Sequence, residues 1–120
     1  MANDERSTGG ALYSANAIVG VVHDYTGRGP TRARTSIRDD VVVVMLQETM
    51  LKAEHRLIED GKADLVVEMR RSFQQTMRED MSAAVAELTG REVIAFMSDS
   101  HLQPDYSDEV FVLAPERPSG

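Results

Sequence analysis

Arg38-Asp39-Asp40-Val41-Val42-Val43-Val44-Met45-Leu46 decides the architecture. The six apolar residues Val41–Leu46 do not alternate with polar ones, and four of them are β-branched valines. Such a run reads as a central strand covered on both faces, by helices or by another subunit. Arg38-Asp39-Asp40 before it supplies turn chemistry, and Ala33–Ile37 on the far side reads as a partner strand, so the two form a hairpin. Upstream of the hairpin, Leu12, Ala15, Ile18, Val19 and Val22 recur at helical spacing and predict a helix over Gly10–Thr26. Gly27 closes that helix, and Gly27-Arg28-Gly29-Pro30 forms a loop in which Pro30 biases Gly29 away from helix.

Downstream, Thr49 is placed to N-cap a short helix, Met50–Asp60, with Gly61 as its stop. A longer helix is predicted from Lys62 to Thr89, ended by Gly90. At 1.5 Å per residue it is about 40 Å long, against a diameter of about 35 Å for a globule of this size. A strand at Glu92–Met97, a loop at Ser98–Asp108 and a last strand at Glu109–Leu113 complete the chain. The order α-β-β-α-α-β-β predicts an α+β two-layer sandwich with a four-stranded sheet and one long helix. Polar, Gly- and Pro-marked ends suggest tails at 1–10 and 114–120 around a single domain, 11–113.

On a helical wheel the long helix carries an apolar arc of roughly 160°, wider than the arc above 100° that one covering layer requires. The arc holds Met69, Phe73, Met77 and Met81, and two charges, Arg70 and Asp80. These six residues are the expected face of a two-fold homodimer, with Arg70 and Asp80 either pairing reciprocally across it or snorkelling out at its edge.

Composition excludes several classes. With 120 residues, 42% hydrophobic and 28% charged, the chain is neither disordered nor fibrous. No cysteine is present, so disulfide frameworks, thiolate metal sites and cysteine nucleophiles are out, and a reducing cytoplasm fits. The longest apolar run is far shorter than the roughly twenty residues of a membrane span, and no signal peptide is recognisable. The net charge of −7 argues against DNA or an anionic membrane surface as partner.

Against that acidic background, Gly27–Arg38 carries four arginines and no acid. Gly27, Arg28, Gly29, Arg32 and Arg34 are therefore the candidate site for a small anion or an acidic patch on a partner, through backbone amides and forked guanidinium groups. The even spacing of Arg32, Arg34 and Arg38 equally fits one solvated strand face. No catalytic constellation and no cofactor motif emerges. His23, His55 and His101 lie on different elements, and Ser98-Asp99-Ser100-His101 with Asp105 and Asp108 reads as a turn-forming loop rather than a metal site. A KH-like element order is undercut at Ile58-Glu59-Asp60-Gly61-Lys62-Ala63, which has one glycine and two acids where an RNA clamp needs Gly-x-x-Gly and basic residues.

Val22–Thr35 with Gly27-Arg28-Gly29-Pro30-Thr31, Arg70-Arg71-Ser72-Phe73-Gln74, Leu88–Asp99 and Glu109-Val110-Phe111-Val112-Leu113, in this order, resemble the MpsC-like or YbcI-like proteins. The resemblance covers about Ala11–Leu113. That family is named for a component of a sodium-translocating, membrane-potential-generating system. The resemblance implies a soluble cytoplasmic accessory or regulatory protein, not an enzyme, working with membrane ion or bicarbonate transport proteins. It carries over no catalytic residue. The alternative class is a small anion- or nucleic-acid-binding module using the arginine loop.

Overall fold

The computed structural model describes residues 16–115. Two hairpins make one antiparallel sheet in the order β1-β2-β4-β3, from β1 Arg32–Arg38, β2 Val41–Gln47, β3 Val93–His101 and β4 Tyr106–Leu113. Helix α1 occupies residues 16–26, α2 is Lys52–Glu59 and α3 is Ala63–Thr89. The predicted α+β order and the long helix are both present. Residues 10–15 of the expected first helix, and the tails at 1–10 and 116–120, lie outside the described residues. Ala114 belongs to the folded unit and not to a tail. Its amide donates to the Glu92 carbonyl at 2.8 Å, and its own carbonyl accepts from Arg91.

The helices lie on one face of the sheet. Ile18 and Val22 of α1 and Met77, Met81 and Val85 of α3 share one buried cluster with Val42, Val44, Leu46, Phe111 and Leu113. Tyr25 of α1 ties the two helices together by donating its phenol to Asp80 at 2.6 Å, which raises the Tyr25 pKa. α3 starts at N-cap Lys62, and Gly90 ends it in the left-handed conformation at φ 68°. Gly27 ends α1 likewise at φ 77°, its amide bonded to the His23 carbonyl.

β2 shows why a run of apolar residues is needed. Val42, Val44 and Leu46 point inward and are buried; Val41, Val43 and Met45 point outward. Among the described residues, only the inner set is covered by helices. The expectation of cover on both faces is met on one, because both packed helices lie on the same side. On the outer face the register aligns four rows: Arg38–Val41–Val112–Ala95, Ser36–Val43–Val110–Met97, Arg34–Met45–Asp108–Asp99 and Arg32–Gln47–Tyr106–His101.

Two boundaries differ from expectation. Ser98–Asp108 is not a loop. β3 runs on to His101, β4 starts at Tyr106, and a four-residue turn joins them. Asp and Ser are poor strand formers, but here they alternate. Ser98 and Ser100 point inward, while Asp99 and His101 point outward. α2 starts at Lys52 with Leu51 as N-cap, so Thr49 is no cap. Glu54 instead reaches back to the Leu51 amide at 2.8 Å, which is half of a capping box.

Candidate functional site

The inner face of the sheet has two halves. Ile37, Val42, Phe111 and Phe96 line up at one end, with the Phe96 and Phe111 ring centroids 5.0 Å apart. At the other end the rows turn polar, with Glu109 opposite Ser98 and Ser107 opposite Ser100. The first half of α3 lies over that polar end and lowers Arg70 and Gln74 into it; α2 closes it with Glu54.

The result is a buried chamber with charges inside. Arg70 Nε lies 3.3 Å from Glu54 Oε2, with side-chain exposures of 11% and 2%. Another Arg70 nitrogen donates to Thr49 Oγ1 at 2.7 Å. Thr49 lies 3.3 Å from an Asp105 carboxylate oxygen and 3.4 Å from the Ser107 hydroxyl. Ser107 in turn lies 3.1 Å from Ser100, which accepts from the Gln74 amide at 2.9 Å. The second Asp105 oxygen accepts from the Met50 amide at 2.8 Å, pinning the β3–β4 turn to the chain before α2. Thr49, Glu54, Arg70, Gln74, Ser107 and Glu109 line a cavity of about 30 Å³, with Val22, Leu46, Phe73 and Met77 on its apolar side. That volume admits about one water molecule.

Glu109 is the group out of balance. It is buried, and its Oε2 has no hydrogen-bond partner. Burial away from water pushes its pKa up to about 8, and the neighbouring Asp108 adds to the rise. Ser98 and Arg70 pull the other way, but the Ser98 hydroxyl stops short of hydrogen-bonding geometry. The chamber therefore holds one ion pair, Glu54–Arg70, beside a Glu109 carboxyl whose burial favours the protonated form. The pair itself is close but not aligned as a hydrogen bond, so Arg70 Nε and Glu54 Oε2 also lack an aligned partner.

The residues expected at a dimer interface are largely taken up by this packing. Met77 and Met81 belong to the chain's own core, and Phe73 packs against it. Arg70 lies beside Glu54 of its own chain, with its side chain 11% exposed. Asp80 is exposed and takes the Tyr25 proton donor; Met69 is half-buried.

The candidate arginine loop is likewise divided. The Gly27 amide is spent on the α1 terminus, and the Arg28 guanidinium donates to the Met50 carbonyl. Gly29 packs close to α1: a Cβ there would stand 3.4 Å from Val19. Arg32 and Arg34 are exposed on the outer face of β1, and among the described residues neither they nor Arg28 pair with a carboxylate. Arg28 is thus turned to the Met50 carbonyl, while Arg32 and Arg34 stand on the outer face of β1. Nor do the described residues bring three or more His, Asp or Glu together for a metal ion. Sequence reasoning missed Glu54, Thr49, Gln74, Ser107 and Glu109. A readable signal existed: the period-two pattern Phe96, Ser98, Ser100 against Ser107, Glu109, Phe111 puts polar residues on a core-facing side.

The fold and chamber define a small α+β protein whose buried charges are spent on one another. The family described as Na+-translocating membrane potential-generating system (MpsC) matches residues 15–115, and the chain belongs to it. No curated protein and no solved structure matches. None of the described helices is long and apolar enough to cross a membrane.

Proposed function

We propose that the protein is a non-enzymatic accessory or regulatory component, acting in the cytoplasm beside a membrane system that moves ions or bicarbonate and generates membrane potential. One observation carries this reading. In the chamber formed by motif residues Arg70, Phe73 and Gln74, the charged groups engage one another around space for about one water molecule, whereas sites for organic ligands occupy some 300–1,000 Å³. Arg70 and Phe73 of the motif serve this internal charge arrangement, while Arg71 and Gln74 also line an open surface cleft of about 210 Å³. The family description supplies the sodium ion and the membrane potential; association with the membrane components is our inference.

The test is genetic and electrical. In cells that carry the chain, its deletion should lower the Na+-dependent membrane potential reported by a lipophilic cationic dye. The plasmid-borne chain should restore it. An unchanged potential and unchanged Na+ efflux on deletion would overturn the proposal.

A second reading, recognition of an acidic surface by the arginines, keeps one supporting observation: Arg32 and Arg34 are exposed and without a carboxylate partner among the described residues.

A further inference from the structure

Among the described residues no helix lies on the outer face of the sheet, yet the centre of that face is not polar. Its centre is apolar, with Val41, Val43 and Met45 on β2 beside Val110 and Val112 on β4, and Met97 beyond them is 53% exposed. One edge is basic, because Arg32, Arg34 and Arg38 all point outward from β1. Near the opposite edge, Asp99 and Asp108 stand directly across from each other, and neither is in an ion pair among the described residues. Like charges at directly opposed positions destabilise a strand pair. The face thus has an apolar middle, a cationic edge and an anionic pair near the other edge.

We infer that this face is covered by the same face of a second copy, the two sheets related by a two-fold axis lying parallel to the strands between β2 and β4. Such an axis reverses the strand order and preserves the rows. Arg34 of one copy then stands over Asp99 of the other, twice, and each Asp99–Asp108 pair receives the cation it lacks. In the two rows above, Val43 faces Val110 and Val41 faces Val112. An axis across the strands would instead lay Arg38 over Arg32 and the two basic edges over each other, which charge repulsion opposes. A sheet position occupies about 4.8 Å by 6.8 Å on one face, so four rows across four strands cover about 500 Å² per copy. The pair buries about 1,000 Å², enough for a specific interface of the smaller kind. Aligned packing of two twisted sheets at about −30° and about 10 Å separation leaves arginine side chains able to span the gap.

The experiment is charge reversal on the full chain, read by sedimentation equilibrium, with circular dichroism confirming the fold of each variant. The wild type should sediment at twice 13.3 kDa at tens of micromolar. R34D and D99R should each weaken dimerisation by about tenfold or more. The combined R34D/D99R chain should recover to within about threefold of wild type. V43D provides a variant of the apolar centre and should be monomeric. A monomeric wild type overturns the proposal. So does a dimer indifferent to V43D and R34D, which would place the contact elsewhere, and so does failure of the double reversal to rescue, which would reject this axis. The result is independent of the proposed membrane role.

Discussion

The two faces of the sheet are built from the same four strands and are treated in opposite ways. The inner face is closed by the chain itself, and its charges are paired, protonated or bonded within about one water's volume of space. The outer face presents an apolar centre between charges of opposite sign, which no ion pair among the described residues answers. β2 belongs equally to both: Val42, Val44 and Leu46 serve one side, and Val41, Val43 and Met45 the other. A strand apolar on both sides therefore says that both sides call for cover, not that one chain provides it.

The contrast is broken most severely from inside. Arg70→Leu leaves Glu54 charged and buried without its partner and should lower stability by about 3–5 kcal/mol. A urea titration would show this as a reduced midpoint at unchanged slope. If the charges act as a pair, adding Glu54→Gln to Arg70→Leu should recover part of the loss.

Glu109 sharpens the contrast by pH. Its carboxyl keeps its proton up to about pH 8 in the folded chain but loses it near pH 4.5 when unfolded. Between those values the folded state holds the extra proton, so stability falls as pH rises and levels off above about 8. Glu109→Gln should flatten that fall, exceeding the wild type by a few kcal/mol at pH 9 and matching it near pH 4. Parallel melting curves of the two proteins from pH 4 to 9 would refute the assignment.

Two neighbouring valines test the faces directly. Val44→Ala should cost about 2 kcal/mol, through lost burial and the cavity left behind. Val43→Ala should cost less than half of that at submicromolar protein, where no second copy covers it. Equal losses by denaturant titration would mean that the outer face is already buried in the single chain.

The smallest effects separate the arginines. Arg28→Ala removes a donor from the Met50 carbonyl and should lower stability by about 1 kcal/mol. Arg32→Ala should stay within about 0.5 kcal/mol. A larger change at Arg32 than at Arg28, read as a shift in melting temperature, would reverse their roles.

Much of the fold is legible in residue pattern. The valine run, the Asp39-Asp40 turn, the glycine stops and the long amphipathic helix all place their elements to within a few residues. The chamber is less legible, because its partners are distant in sequence. The arc containing Arg70 is visible on a wheel, but nothing along the chain says that Glu54 comes back to meet it from another helix. The excess width of that arc invites a second subunit; in the structure part of it covers a polar pocket of the same chain. Ser98–His101 is hidden by composition, since strand propensity penalises the serines and aspartate that alternation places on two different faces. The arginine-rich segment reads as one cluster in sequence and divides in space, because a strand and a loop aim their side chains differently.

The strand order has a consequence for how the molecule comes together and comes apart. β1–β2 and β3–β4 are each closed by a short turn, so either hairpin can zip locally. The β2–β4 ladder alone joins distant segments, as in the Gln47–Tyr106 contact across 59 positions, and its closure carries the entropy of the whole intervening chain. That ladder is the seam between the two hairpins. The chamber on one side and the valine centre on the other both straddle it, so one opening event would wet both, and hydrogen exchange along β2 and β4 would register them as a single cooperative unit.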